Sequence, residues 1–175
     1  MARSPVLIAL ACLGACADPT GPARDGEPVQ TDATVYIARH VAGSGTYRQY
    51  GFAVVSRFLN SRADTVFLAR CYPDTPFPIY GVLLAGKPHS DGAAYSPVWA
   101  CVGHRNPIAV PPGATRTDTL QVRGPYGWDG YTHTPIGLFE GVFRLEYEVH
   151  YCREETGCRA PSTEGQSNAF RVVLE

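Results

Sequence analysis

The stretch at residues 141–152, GVFRLEYEVHYC, is the feature that most constrains the fold of this chain. Apolar side chains occur at every second position, and charged or polar side chains fill the positions between them. Such alternation places the apolar set on one side of an extended strand, whereas a helix would spread it around the whole cylinder. We therefore predict a strand with one buried and one water-facing side, which needs a second layer of structure to cover it. The apolar positions are Phe143, Leu145, Tyr147, Val149 and Tyr151.

The first sixteen residues have the makeup of an export signal. Arg3 gives a positive start, and the apolar run at residues 6–13, VLIALACL, is far too short to span a bilayer as a helix. The motif Leu13-Gly14-Ala15-Cys16 ends this run, and it resembles the lipobox of bacterial lipoproteins. The resemblance implies that the preceding peptide is cleaved, that Cys16 is diacylated on its sulfur, and that the new N-terminus is acylated.

The residues around Cys16 favour one processing site and one membrane. The competing site at residues 9–12, ALAC, has Ala where Leu is favoured and leaves a very short apolar run before it. Plain secretion is the other alternative. Two or more acyl chains give stable membrane attachment. Ala17 follows Cys16, so the Asp that directly follows the cysteine of lipoproteins kept at the inner membrane is absent. The resemblance implies an extracytoplasmic protein anchored to a bacterial membrane, the outer one where two are present.

The chain divides into a leader, a tether and one domain. Residues 1–15 are the predicted signal peptide. Residues 16–31 comprise the lipidated cysteine and a flexible tether, because ADPTGPARDGEPVQT contains three prolines, two glycines and almost nothing to bury. Residues 32–175 form the predicted β-sandwich domain, a length that buries roughly two thirds of the unfolded chain's surface.

The charge balance argues against nucleic acid as a partner. The whole chain has 15 basic and 16 acidic residues, and loss of Arg3 with the leader leaves 14 and 16, a formal net charge of −2. No basic run occurs anywhere in the sequence. Binding to phosphates needs clustered Lys or Arg, so we expect no nucleic-acid partner.

Four cysteines remain in the mature domain, and they fit a disulfide framework better than a metal site. An even number outside the cytoplasm predicts two disulfides, with three possible pairings. The polar segment at residues 153–157 could turn back and bring Cys152 close to Cys158, which would leave Cys71 with Cys101. The sequence contains no C-x-x-C motif, so zinc binding and redox catalysis are disfavoured.

Turn signals rich in glycine and proline divide the rest of the chain into short strands. In the first strand, Val35, Ile37 and Val41 share one side. The strand at 50–59 is apolar on both sides over part of its length, which predicts a central position, and 65–71 follows a polar turn as its hairpin partner. Seven to nine strands without a repeat or an amphipathic helix predict an all-β fold, a two-sheet antiparallel sandwich. Besides the strand at 141–152, the predicted strands lie at residues 34–41, 50–59, 65–71, 79–85, 98–102, 108–110, 115–122 and 168–174.

A family resemblance supports this architecture. PPG at residues 111–113, the Thr-rich strand after it, GVFRLEYEV, and SNAFRVVL at residues 167–174 follow in order. This order resembles the second half of immunoglobulin-like domains of bacterial envelope proteins and of the bacterial intracellular proteinase-inhibitor type of sandwich, over residues 48–174. The chain departs from the pattern at Phe143, which lacks the hydroxyl of the usual corner tyrosine. The resemblance implies an immunoglobulin-like sandwich and carries no inhibitory site.

Histidines, aspartates and serines do not form a catalytic or metal-binding pattern. The five histidines lack H-x-H and H-E-x-x-H spacing, and no serine lies in a G-x-S-x-G elbow. Asp91 near His89, and Asp129 near His133, could form acid and base pairs, but aspartate is an ordinary turn residue in such glycine-rich loops. The sequence also lacks phosphate-binding and dinucleotide-binding fingerprints. We therefore predict no catalytic residue, no metal site and no cofactor.

The glycine-rich segment at residues 124–137 is a candidate binding loop. It carries Tyr126, Trp128, Tyr131 and His133 between four glycines. Flat amphipathic rings on a loop give contact area at low entropic cost, which is typical of binding surfaces. The alternative is that these rings fold back and cap the open end of the sandwich. The same two interpretations apply to the proline-rich loop at residues 72–80.

The sequence as a whole predicts a non-enzymatic binding or interaction module in the cell envelope. Its membrane contact is the lipid anchor, and an envelope protein or a glycan is the expected kind of partner. The alternatives are a hydrolase or metal-dependent enzyme that uses loop Asp and His side chains, and a protease inhibitor.

Overall fold

Short strands make up almost all of the regular structure of this chain. The computed structural model describes residues 29–71, 75–86, 94–97, 107–128, 133–135, 140–151 and 163–175. These ranges contain thirteen strands, one 3-10 turn at Gly45–Tyr47 and no α-helix, so the predicted all-β class is confirmed. The strands are β1 (Val29–Thr31), β2 (Val35–Ala42), β3 (Gln49–Leu59), β4 (Val66–Leu68), β5 (Tyr80–Leu84), β6 (Ser96–Pro97), β7 (Ile108–Val110), β8 (Thr115–Gly124), β9 (Tyr126–Trp128), β10 (His133–Pro135), β11 (Gly141–His150), β12 (Thr163–Gln166) and β13 (Phe170–Leu174).

Eleven of these strands form one sheet. Its main order is β6-β8-β3-β2-β13-β11-β4-β7, with β1 added to β3, and with β5 and β12 added to β11. The longest pairing is antiparallel and joins β3 to β8, from Tyr50 opposite Gly124 to Leu59 opposite Thr115. Over the residues described, β9 and β10 pair only with each other, as a separate two-stranded hairpin.

Strand β2 joins the two halves of the sheet. Its end pairs antiparallel with β3, where Arg39 lies opposite Gly51. Its beginning pairs in parallel with β13, where Val35 lies beside Arg171 and Ile37 beside Val173. One strand thus changes partner along its length, and it connects the β6-β8-β3 half to the β13-β11-β4-β7 half.

The core lies between these two halves, which face each other. Phe170 of β13 packs edge-on against Tyr36 of β2, with ring centroids 5.0 Å apart, and lies 6.5 Å from Phe52 of β3. At the other end of β3, the rings of Phe58 and Tyr147 are 6.4 Å apart. Because side chains of β3 meet side chains of β11 and β13, the sheet curls around its own apolar side.

A buried polar contact also joins the two halves. Ser56 of β3 and Tyr147 of β11 share a short hydrogen bond. The Ser56 hydroxyl donates to the Asp118 carbonyl at 3.4 Å, so Tyr147 donates to Ser56. Burial raises the pKa of the Tyr147 hydroxyl above its usual range, which keeps this donor protonated. The contact satisfies polar groups that the core would otherwise bury at a cost.

The N-terminal strand β1 lies inside the region predicted as tether. Val29 is fully buried and pairs with Phe58 of β3. The Thr31 N–H donates to the Asn168 side-chain oxygen at 2.8 Å, which fixes β1 beside the start of β13. Residues 29–31 of the predicted tether therefore belong to the sheet, through their pairing with β3 and the hydrogen bond to Asn168.

The alternation in β11 is confirmed, with one exception on its polar side. Phe143, Leu145 and Tyr147 are almost completely buried, as the period-2 pattern predicts. Glu146 is also buried, although the pattern places it toward water. Glu146 lies opposite Gln166 in β12 and opposite Gly81 in β5. The Gln166 side-chain amide donates a hydrogen bond to the Glu146 carboxylate at 3.2 Å. Two flanking strands therefore cover a position that alternation alone leaves exposed.

The predicted hairpin of residues 50–59 with 65–71 is wrong. Strand β4 pairs with β11 and β7 instead of β3, so the chain crosses to the other half of the sheet after β3. Asn60 holds this crossing: its amide donates to the carbonyls of Asp64 and Val110 at 2.8 and 2.9 Å. A polar turn in the sequence does not distinguish such a crossing from a tight hairpin.

The predicted division into two separate sheets is not confirmed, because β2 makes the sheet continuous. The count of seven to nine strands is also too low, since short strands such as β1, β6 and β12 carry little sequence signal. The longer strands β2, β3, β5, β8, β11 and β13 lie within about two residues of their predicted positions, and β7 matches. The strand predicted at residues 98–102 lies outside the described residues.

We expect Phe170→Ala to lower the free energy of unfolding by about 3–5 kcal/mol, because it removes a fully buried ring from between β2 and β3. Chemical denaturation measures the loss. Arg171→Ala is the matched control, since Arg171 is exposed and its change should stay within about 0.5 kcal/mol. Similar losses for the two variants would contradict this description of the core.

Candidate functional site

The candidate binding loop is a β-hairpin. Within the segment predicted as a loop at residues 124–137, β9 and β10 pair antiparallel, with Trp128 opposite His133 and Tyr126 opposite Pro135. Tyrosine, tryptophan and threonine favour extended structure, and here they outweigh the glycines around them. We call residues 126–135 the aromatic hairpin. Tyr131 lies outside the described residues.

Tyr126 anchors the aromatic hairpin to the sheet. Its backbone N–H donates to the Ala94 carbonyl at 2.7 Å, and its hydroxyl donates to the Gln49 side-chain oxygen at 3.4 Å. The side chain is half-buried, and burial raises the pKa of its hydroxyl while nearby Arg123 opposes that shift. Tyr126 therefore packs at the base of the hairpin, as the packing interpretation of this loop predicts for that residue.

Gly124 lets the chain approach its neighbour just before the hairpin. A Cβ atom there would lie 2.3 Å from the Ala94 carbonyl oxygen and 2.8 Å from the Tyr95 ring. No side chain fits into that space. The glycine thus allows Ala94 to accept the hydrogen bond from Tyr126, which sets the direction in which the hairpin leaves β8.

Aromatic residues gather beyond this base. Trp128 and His133 are directly opposed, which brings two of the predicted site residues side by side. Strand β10 also contacts the 3-10 turn between β2 and β3, where Tyr47 is 63% exposed. Thr134, in the middle of β10, is exposed as well. The backbone thus brings together residue types that are typical of binding surfaces.

The sequence analysis did not single out Tyr47 as part of this site. It stands in a turn that follows two glycines, and no periodic pattern marks it. The only available signal was an aromatic residue in a turn, which is typical of exposed rings and of capping rings alike.

In the second candidate loop, at residues 72–80, one tyrosine lies outside the described residues and the other is part of a strand. Tyr72 lies outside the residues described, whereas Tyr80 begins β5 and is buried. The Tyr80 hydroxyl donates to the Gln121 carbonyl of β8 at 2.8 Å. Tyr80 therefore contributes to packing between the two halves of the sheet.

The enzyme alternative depends mainly on residues outside the described part of the chain, so it stays a prediction. His40 contacts the Gly43 carbonyl at 3.0 Å, and His150 lies 3.2 Å from the Glu148 carboxylate. Among the described residues there is no group of three side chains that could hold a metal ion. The other residues of the enzyme alternative, His89, His104, Asp91 and Asp129, lie outside the described ranges, as do Cys16, Cys101, Cys152 and Cys158.

Comparison with known proteins leaves the family open. No protein-family model matches the sequence, and no curated protein matches it. Among solved structures, the ASH / PapD-like domain of human CEP192 (PapD-like domain 7) aligns over 100% of this chain and 98% of its own, with 9% identity and a TM-score of 0.29. A likeness at this TM-score supports no argument about function. None of the described residues belongs to a helix long and apolar enough to cross a membrane.

We expect Gly124→Ala to lower the free energy of unfolding by about 1–3 kcal/mol, because the added methyl group overlaps backbone and ring atoms. It should also speed hydrogen exchange of the Tyr126 N–H. The control is Gly141→Ala in β11, where the nearest atoms are side-chain ends at 3.3 Å or more. That change should cost less than about 1 kcal/mol. A Gly124→Ala protein with unchanged stability and exchange would contradict the close approach.

Proposed function

We propose that this chain is a lipid-anchored protein of the bacterial cell envelope, and that its domain captures a partner at the aromatic hairpin without catalysing a reaction. The domain is proposed to be an immunoglobulin-like sandwich whose two layers are the facing halves of the curled sheet. The lipobox-like motif that ends at Cys16 supports the anchor, and the contacts of β3 with β11 and β13 support the sandwich.

The arrangement of the aromatic hairpin is the observation on which the binding proposal depends. Its base is held by Tyr126, while β9 and β10 form hydrogen-bonded pairs only with each other over the residues described. Trp128 and His133 therefore lie on an element that is fixed at its base and has no strand pairing with the main sheet over the residues described. Tryptophan and tyrosine at such positions commonly dominate binding energy.

The chemistry of these residues suits an envelope protein or a glycan. Trp128 and Tyr47 offer flat apolar rings, and His133 adds a polar group that can donate or accept a hydrogen bond. No basic cluster accompanies them in the sequence, so nucleic acid remains an unlikely class of partner in this proposal. The hydrolase, metal-dependent enzyme and protease-inhibitor alternatives depend mainly on residues that lie outside the described ranges.

Cysteine chemistry is consistent with the proposed compartment. Cys71 is fully buried and disulfide-bonded, and its partner lies outside the described residues. We propose Cys101 as that partner. Strand β11 pairs Val149 with Leu68 and His150 with Phe67, so the chain that leads to Cys152 runs away from Cys71. A pair of Cys152 with Cys158 then completes the framework, as expected outside the cytoplasm.

The binding proposal predicts that a photo-crosslinking amino acid at position 134, which is exposed in the middle of β10, captures a partner in the producing bacterium. The same amino acid at Leu59, which is exposed at the far end of β3, is the control and should capture nothing. Trp128→Ala should weaken capture at least about 30-fold while it changes the free energy of unfolding by less than about 1 kcal/mol.

Two results would contradict the binding role. One is equal labelling from positions 134 and 59, which would show that the hairpin meets no particular partner. The other is a loss of stability of about 3 kcal/mol or more in Trp128→Ala, which is the size expected for a ring that caps the core.

A further inference from the structure

The outer side of β2 is apolar although it faces solvent. Val35 is 51% exposed and Ile37 is 57% exposed, whereas Tyr36 and Ala38 between them point into the core. Residues 35–38 of β2 pair with β13, and the pairing with β3 begins at Arg39, so Val35 and Ile37 lie where the strand passes from one half of the sheet to the other. Several β-branched side chains exposed together are costly to leave in water unless something covers them.

The apolar surface continues onto both neighbouring strands. Val173 of β13 lies beside Ile37, and the Val41 side chain lies over Gly51 of β3, 3.2 Å from where a Cβ atom of that glycine would be. Strand spacing and rise give this surface an extent of about 15 by 20 Å, or roughly 300 Å². We call it the outer patch, and its residues are Val35, Ile37, Val41, Val55 and Val173.

Arginines surround the outer patch. Alternation along β2, β3, β8 and β13 places four of them on the same side of the sheet as Val35. Arg57 and Arg171 are exposed and have no ion pair among the described residues, while Arg39 is paired with Glu175 at 3.1 Å. The four are Arg39, Arg57, Arg123 and Arg171.

Acidic side chains near the outer patch are few and already bound. Glu175 is the one acidic residue that alternation places on this side of the four strands, within the residues described, and it pairs with Arg39. Asp32 and Glu140 lie at the margin, where they accept hydrogen bonds from the backbone N–H groups of Val55 and Leu174. With Glu175, Asp32 and Glu140 counted against the four arginines, the surface combines aliphatic side chains with a formal net charge of +1, and Arg57 and Arg171 carry its positive charge without an ion pair among the described residues.

This combination favours an anionic lipid surface over a second copy of the chain. Two copies joined at their outer patches would bring like-charged arginines together, which is unfavourable. On a membrane, arginine stems can lie along the apolar surface while their guanidinium groups bind lipid phosphates. Lipid phosphate supplies the negative charge that the surface lacks.

The length of the N-terminal segment keeps the domain close to a membrane that holds Cys16. Twelve residues, 17–28, separate Cys16 from Val29, and fully extended this stretch spans at most about 45 Å. Val29 pairs with Phe58, next to Arg57 in β3, so the tether joins the sheet at a strand that carries the outer patch. This step rests on the lipid anchor proposed above.

We propose that the outer patch docks on the phosphate-bearing headgroups of the membrane that holds the anchor, with Arg57 and Arg171 binding phosphate and Val35 and Ile37 lying against the interface.

Vesicle flotation of the mature chain with Cys16→Ser tests this proposal without any acyl chain. The protein should float with vesicles of about 30% phosphatidylglycerol in phosphatidylcholine, and not with pure phosphatidylcholine. Raising NaCl from about 0.05 to about 0.5 M should release it. Arg57→Gln and Arg171→Gln should each lower partitioning about fivefold, and Ile37→Thr, which keeps a β-branched side chain, should also lower it.

Arg62→Gln is the matched control, because Arg62 is exposed and lies in the turn after β3, outside the outer patch. It should float like the parent protein, and circular dichroism should show that every variant is folded. The proposal is overturned if the unacylated chain does not float, if Arg57→Gln and Arg62→Gln behave alike, or if sedimentation shows a dimer that the patch variants dissociate.

The proposal of a lipid anchor and the proposal of a docking surface can be overturned separately. An acylated Cys16 in the native protein together with no flotation of the Cys16→Ser chain would overturn docking alone. An unmodified Cys16 together with patch-dependent flotation would support docking and overturn the anchor.

Discussion

The hydrogen bonding of β2 to two different neighbours is the constraint on which the rest of this domain depends. One end of the strand pairs antiparallel with β3, and the other pairs in parallel with β13. The inward side chain of the same strand, Tyr36, packs against Phe52 and Phe170 from those two neighbours. Backbone hydrogen bonds and core packing therefore join the two halves of the sheet at the same place. The buried hydrogen bond between Ser56 of β3 and Tyr147 of β11 links the two halves a second time.

Both candidate surfaces lie next to the strand that joins the two halves, β2. The outer patch is the reverse side of β2 and its neighbours, and the 3-10 turn that connects β2 to β3 contacts β10 of the aromatic hairpin. A domain that rests on a membrane through the outer patch would hold the hairpin at the end of the same strands. Membrane contact and partner capture would then be set by one rigid element, with the hairpin fixed in orientation relative to the lipid surface.

The sequence predicts long strands well and their neighbours poorly. Alternation located β11 and the residues of its inner side, because a buried face demands period 2 over ten residues. It did not reveal that Asn60 directs the chain across to the other half, since this depends on side-chain hydrogen bonds to distant carbonyls. It also grouped Val35, Ile37 and Val41 on one side of a strand, although the core takes the other side through Tyr36.

The candidate site could be predicted in part. The aromatic residues between glycines marked the segment but did not reveal that β9 pairs with β10 and places Trp128 opposite His133. The turn that contains Tyr47 reaches the site through its contact with β10, which is distant in sequence. Residue type thus indicated the chemistry, whereas the convergence of these residues depends on backbone contacts that no local pattern contains.

Intact and peptide mass spectrometry of the protein from a lipoprotein-processing bacterium, with and without reduction, tests the central claim most directly. The account predicts an N-terminal peptide that begins at an acylated Cys16, and disulfides that join Cys71 to Cys101 and Cys152 to Cys158. An unprocessed or unmodified Cys16, together with free thiols at the other four positions, would contradict it, since neither an anchored envelope protein nor an oxidising compartment could then be maintained.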